Sequence, residues 1–250
     1  MVLAQEKLRT TPALDPPLMV DLGWSPLYRL AGMAAAVAAL MTPLAITVFA
    51  IWPPPYDKGA AKWFELFQDN KILGLVSLDL LFVVVNVLMI PVMLGLYVAL
   101  RRVSPSYITL AVVTFFVGLA AYFTTNPALE MLSLSNQYAD ATTEAQRTAA
   151  VGAGDALLAG FEGTAFHVNY VLAQIAGIVV GLVILRNGVF SRRIGWLMVV
   201  GNAVGFGLYI PVVGLGLSAL AGAILWVWMI AMARGFFLIG RVEGSIRANS

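Results

Sequence analysis

One short run gathers most of the groups that could do chemistry: Phe161-Glu162-Gly163-Thr164-Ala165-Phe166-His167-Val168-Asn169-Tyr170, continuing to Gln174. It holds the single histidine of the chain. A carboxylate, an imidazole, two amides and a phenol stand where an apolar stretch is beginning. Imidazole titrates near neutrality, so His167 can hold or pass a proton or touch a ligand. Beside carboxylates it can ligate a metal. Its third option is a plain hydrogen bond between packed helices. No His-x-x-x-His or Glu-x-x-His spacing accompanies it, so no metal set is predicted and no cofactor is named by the sequence.

Spacing divides these groups. His167 and Gln174 are seven apart and share a helical face, with Tyr170 between them, while Glu162 and Asn169 share another. At 100° per residue Glu162 and His167 diverge by about 140°, too far to enter one narrow pocket from an ideal helix. A break at Gly163 would re-aim Glu162. Without one, Glu162 lies at headgroup level and His167 points inward, toward Asp79 or the region of Glu130. Asp79 and Asn86 are likewise seven apart. An ionisable group within an apolar span is costly unless paired or wetted, and such groups turn toward a bundle interior. Asp79 therefore serves either a structural pair or a wetted outer cavity. The candidate ligand-binding set is Asp79, Asn86, Glu130, Glu162, His167, Asn169, Tyr170 and Gln174.

The elements that must position these groups follow from composition. The chain has 250 residues, 60% of them hydrophobic and only 11% charged, with mean hydropathy +0.88. A soluble domain carries about 25% charged residues, so lipid is the expected solvent and the bilayer the first expected partner. A net charge of +2 makes no case for nucleic acid. With no cysteine, disulfides, thiolate ligands and cysteine nucleophiles are excluded. Neither a phosphate loop nor a nucleophile elbow is present. The sequence leans away from an enzyme.

The predicted fold is all-α: an integral membrane bundle of six transmembrane helices over about 27–52, 72–100, 107–125, 161–185, 194–210 and 215–238. Each apolar run is near the length needed to cross a hydrocarbon core of about 30 Å. The 29-residue second run should tilt or kink, with Pro91 the natural kink. Residues 1–26 read as a polar cytoplasmic arm without the features of a signal peptide, 27–240 as the membrane domain, and 241–250 as a cytoplasmic tail. Two outer segments are expected, 53–71 and 126–160. In the first, Ala60, Trp63, Phe64 and Phe67 recur at helical spacing opposite Lys58, Lys62, Glu65 and Asp69, predicting an amphipathic helix at the membrane surface. In the second, Asn126-Pro127 predicts a helix with Asn126 as N-cap and proline in the first position, and Thr143-x-x-Gln146 predicts a capping box. The small-residue pairs Gly177/Gly181 and Gly201/Gly205 predict close helix packing, within the chain or in a homo-oligomer or membrane complex.

Basic residues set orientation. Lys7, Arg9, Arg29, Arg101, Arg102, Arg186, Arg192, Arg193, Arg234, Arg241 and Arg247 fall on one side, and Lys58, Lys62, Lys71 and Arg147 on the other. Both termini are expected in the cytoplasm.

Several runs resemble a bacterial family of multi-pass membrane proteins, the domain-of-unknown-function 4386 class. They are Phe64-Glu65-Leu66-Phe67-Gln68-Asp69-Asn70, Leu78-Asp79-Leu80-Leu81, Glu130-Met131-Leu132-Ser133-Leu134-Ser135-Asn136-Gln137-Tyr138, Ala141-Thr142-Thr143-Glu144-Ala145-Gln146-Arg147 and Gly163-Thr164-Ala165-Phe166-His167. The resemblance covers roughly 27–240 and implies a bacterial plasma membrane and a six-helix fold. It brings no activity with it. Three functions stay open: binding of a small molecule, lipid or ion in an outward-facing cavity (for sensing, transport or as a complex subunit); an intramembrane acid–base or metal-dependent enzyme using Asp79, Glu130 or His167; and an accessory subunit without a ligand.

Overall fold

The computed structural model describes the backbone of residues 22–248 and the side chains of 23–241. Most of the expected N-terminal arm lies outside the described residues. Among those described, the ordered elements are helical. We number them α1 Ser25–Ile51, α2 Gly59–Asp69, α3 Lys71–Ser77, α4 Leu80–Leu100, α5 Pro105–Thr125, α6 Ala128–Asp140, α7 Glu144–Phe161, α8 Thr164–Arg186, α9 Arg192–Gly205 and α10 Gly214–Ala248.

Six helices pack side by side in a ring, each touching the next in the order α5, α8, α9, α10, α1, α4, with a thinner contact between α4 and α5 closing it. Small residues let the backbones approach. Ala31, Ala34, Ala35 and Ala38 are buried along α1, and Gly95 of α4 meets Ala31 and Phe236. Gly177 of α8 faces Asn202 of α9, and a Cβ on Gly181 would lie 3.0 Å from the Gly195 carbonyl. The predicted small-residue pairs thus pack helix on helix inside this chain. Among the described residues, five stretches are long and apolar enough to cross a membrane: Ser25–Ile51, Leu80–Leu100, Pro105–Asp140, Glu144–Arg186 and Gly214–Arg241. The α9 helix, at 14 residues, is not among them and is prolonged by a 3-10 turn, Phe206–Tyr209.

A second, smaller core stands apart from the ring's. There α2 packs on α6 and α7, and Trp63, Phe64, Phe67, Leu78 and Met131 are fully buried, with Phe161 largely buried beside them. The apolar stripe of α2 is thus taken up by protein. Ser135 Oγ donates to the Phe64 carbonyl at 3.1 Å and accepts from Gln68 Nε2 at 2.8 Å. The Ala60 N–H donates to Asp155 at 2.7 Å. The predicted capping box forms: Thr143 accepts from the Gln146 N–H, and Gln146 accepts from the Thr143 N–H.

Several expected boundaries move. The helix expected over 72–100 is two helices, and α4 runs through Pro91 while the interruption falls at Leu78-Asp79. The helix expected from 161 begins at Thr164, after a break at Glu162-Gly163. Pro127, not Asn126, is the N-cap of α6. The expected 194–210 helix tightens into the 3-10 turn after Gly205. The last helix continues past 238 to Ala248.

Candidate functional site

The two breaks are where the site is made. Asp79 sits at the start of α4 with φ 61°, in the left-handed region, which aspartate tolerates better than most residues. The interruption frees the Leu78 carbonyl, and Asn126 Nδ2 donates to it at 2.7 Å while Asn126 Oδ1 accepts from the Ala128 N–H at 3.2 Å. One amide thus ties the start of α4 to the start of α6. Glu162 is the C-cap of α7 and Gly163 the N-cap of α8. A Cβ on Gly163 would stand 3.0 Å from both the Ala159 and Gly160 carbonyl oxygens, so the chain turns tightly there because position 163 has no side chain.

The break re-aims Glu162. Asp79, Glu162 and His167 line one pocket of about 550 Å³ together with Tyr56, Phe161, Phe166, Leu208, Tyr209 and Leu215. This volume is in the range of small-molecule sites. His167 Nδ1 lies 3.2 Å from the Tyr209 hydroxyl, and the Phe166, His167, Tyr170 and Tyr209 rings form a connected aromatic wall. The carboxylates of Asp79 and Glu162 have no basic or hydrogen-bonding partner among the described residues.

Burial raises the Asp79 carboxyl, which precedes the apolar span Leu80–Leu100, to about 6, because a carboxylate loses hydration there without gaining a partner. Shielding from water, then the negative field of Asp79 and of Glu162, raises the Tyr56 hydroxyl above its usual range. Both carboxylates therefore act on the same mouth. No group of three His, Cys, Asp or Glu side chains among the described residues is placed to hold a metal.

The other predicted residues separate from this set. Tyr170 lies just below the pocket, its hydroxyl donating to the Gly205 carbonyl at 2.9 Å and 3.3 Å from Ser218 Oγ. Gln174 is buried deeper, against Gly205. Asn169 packs its backbone on Gly118 of α5. Asn86 returns its amide to the Phe82 carbonyl of its own helix at 2.9 Å. Glu130 is exposed on α6, away from the pocket lining. Tyr56 and Tyr209 line the pocket without having been singled out by the sequence. Aromatic residues at helix ends are common as membrane-interface anchors, and their spacing alone does not separate the two roles.

The family profile described as Domain of unknown function (DUF4386) matches residues 30–240. The chain belongs to this family. No curated protein and no solved structure matches it. Family membership and the apolar helices make this DUF4386 chain an integral membrane protein.

Proposed function

We propose that this DUF4386 protein is a six-span protein of the bacterial plasma membrane, with both termini cytoplasmic, that binds a small organic cation in the outward-facing pocket. The α9 helix with its 3-10 extension supplies the sixth span in this reading. The 11-to-4 split of basic residues sets the orientation, and α2, α3, α6 and α7 form a cap on the outer face with α2 along the membrane surface. The observation that carries the ligand class is the pair of uncompensated carboxylates, Asp79 and Glu162, beside the rings of Tyr56, Phe166 and Tyr209. Such a pair attracts positive charge, and aromatic faces favour ammonium over a small hydrated metal ion. Sensing, transport and service within a complex are all compatible with this binding step.

The test compares choline with its uncharged carbon isostere, 3,3-dimethylbutan-1-ol, by calorimetry on the protein in nanodiscs at pH 8. Choline is expected to bind at least about tenfold more tightly, a difference of about 1.4 kcal/mol. Equal affinities would remove the cation reading, and tighter binding of the alcohol would reverse it.

A further inference from the structure

Charge is divided unevenly between the two ends of the ring. Every acidic side chain among residues 23–241 lies in the cap segments or at their junctions with the ring, from Asp57 to Asp79 and from Glu130 to Glu162. The opposite end, where α4 gives way to α5 and α8 to α9, carries Arg101, Arg102, Arg186, Arg192 and Arg193 and no acid among the described side chains. The ion pair found among the described residues, Lys62 with Glu65, is in the cap. Arg186, the last residue of α8, has no ionic or hydrogen-bonding partner among the described residues. A guanidinium stays charged at any physiological pH, so these residues leave its charge to be met by something else.

Arg186 stands at the head of a groove between α5 and α8. Gly118 of α5 packs on Leu172 of α8, and an equal number of residues further along each of these antiparallel helices Ser104 comes opposite Arg186. There the two helices leave a pocket of about 350 Å³, with Ser104, Tyr107, Val179, Leu182 and Arg186 in its wall. Ser104 is the N-cap of α5, and its hydroxyl makes no capping bond. Tyr107, Leu182 and Arg186 are exposed, so the groove opens on the outside of the ring, where lipid would lie. The seam that leads away from it is apolar and exposed on both sides. Leu110 and Val117 continue from Tyr107 at steps of three and seven on α5, and Ile175 and Val168 continue from Leu182 at steps of seven on α8. From Tyr107 to Val117 the helix rises about 15 Å, the depth of one leaflet of a hydrocarbon core of about 30 Å.

We propose that this groove binds an anionic phospholipid, its phosphate held by the Arg186 guanidinium and the Ser104 hydroxyl and one acyl chain laid along the α5–α8 seam. The guanidinium fork matches phosphate oxygens, and basic pockets between membrane helices take anionic headgroups. The charge at this end and the apolar track beside it call for one molecule that has both a net negative head and a chain. A zwitterionic lipid brings its own ammonium to an end already rich in arginine, and a free phosphate leaves the track uncovered. On the proposed topology the lipid belongs to the cytoplasmic leaflet. The groove lies at the other end of the ring from Asp79 and stands whether or not the pocket there binds a cation.

The test is native mass spectrometry of the protein in detergent micelles, titrated with dioleoyl phosphatidylglycerol or with dioleoyl phosphatidylcholine. The first phosphatidylglycerol is expected to bind at least about tenfold more tightly than phosphatidylcholine. Arg186→Gln should weaken that first binding step about tenfold, the worth of one hydrogen bond to a charged group. Leu182→Trp fills the groove without changing charge and should weaken it as well, with thermal unfolding confirming that the variant is folded. Arg193→Gln removes the same charge from an exposed position at the same end that is not in the groove wall, and should leave the affinity within about twofold. Millimolar glycerol 3-phosphate should fail to displace the lipid. Equal affinity for the two lipids, or equal losses in Arg186→Gln and Arg193→Gln, would overturn the proposal and leave only a diffuse attraction to the arginine-rich end. Displacement by glycerol 3-phosphate would overturn it in favour of a free phosphate.

Discussion

The pocket that holds Asp79 and Glu162 is built from helix ends, and a second pocket of about 190 Å³, walled largely by methionine among α4, α5, α8, α9 and α10, from helix middles. At the ends, the chain leaves the regular hydrogen-bond ladder twice, at Leu78-Asp79 and at Glu162-Gly163, and each departure presents a carboxylate to the same mouth. In the middles, α4, α5, α8, α9 and α10 stay helical, and apart from the Asn202 amide what lines the pocket is thioether, ring and aliphatic carbon. The difference has a physical source. A broken helix frees backbone groups that must be satisfied by protein or water, and α6 with its preceding Asn126 supplies that at Leu78. The protein can therefore place charge where its cap supports irregular backbone, and must stay apolar where a bilayer would surround regular helices.

Reversing the charge at the mouth should break the contrast most strongly. Glu162→Lys puts an ammonium in a pocket read as a cation site, at an exposed position that the fold tolerates. Choline affinity should fall more than about a hundredfold, roughly 3 kcal/mol; calorimetry checks this. Gly163→Val attacks the turn that aims Glu162. The added Cβ meets two carbonyl oxygens at 3.0 Å, so the variant should lose about 1–3 kcal/mol in thermal or denaturant unfolding and bind choline about tenfold more weakly.

Acidity acts on the first pocket more gently. Asp79 holds its proton up to about 6 in the folded protein, above the ordinary carboxyl value near 4. The folded state thus binds the proton more tightly than the unfolded state, and the Asp79 contribution to stability is most favourable below about pH 4 and is lost as pH rises through about 6. Choline binding runs the other way, weakening as the pH is lowered through 6. Titrating choline affinity from pH 5 to 8 reads this. The smallest effect is expected just below that pocket: Tyr170→Phe removes the hydrogen bond to the Gly205 carbonyl and should cost about 1 kcal/mol of unfolding stability, leaving choline affinity within about twofold.

Much of the bundle was legible from apolar run length, because lipid enforces continuous helices and long uncharged stretches reveal them. The cap was legible in part. The Trp63, Phe64 and Phe67 stripe announced an amphipathic helix, and only the fold shows that α6 and α7 cover it. The break at Gly163 could be anticipated as a possibility because glycine permits it. The one at Asp79 could not, since Ile72–Leu78 has the same apolar character as the helix that follows, and the interruption depends on Asn126, 48 residues away from Leu78. Periodicity gave the face of Asn86, Asn169 and Gln174 but not their surroundings, which is why these three do not line the pocket that holds Asp79, Glu162 and His167. The methionine-walled pocket left no trace in the sequence, since methionine and tryptophan at helical spacing are ordinary core residues.

The central claim is that Asp79 is held uncompensated at an energetic cost because a cation needs it. Asp79→Asn measures both halves at once, since asparagine also accepts a left-handed backbone. Thermal unfolding and choline calorimetry on the same nanodisc samples at pH 8 should show a variant more stable than the parent, by up to about 3 kcal/mol, that binds choline at least about tenfold more weakly. A variant less stable than the parent, with choline affinity unchanged, would contradict the account and make Asp79 a structural residue of the α3–α4 junction.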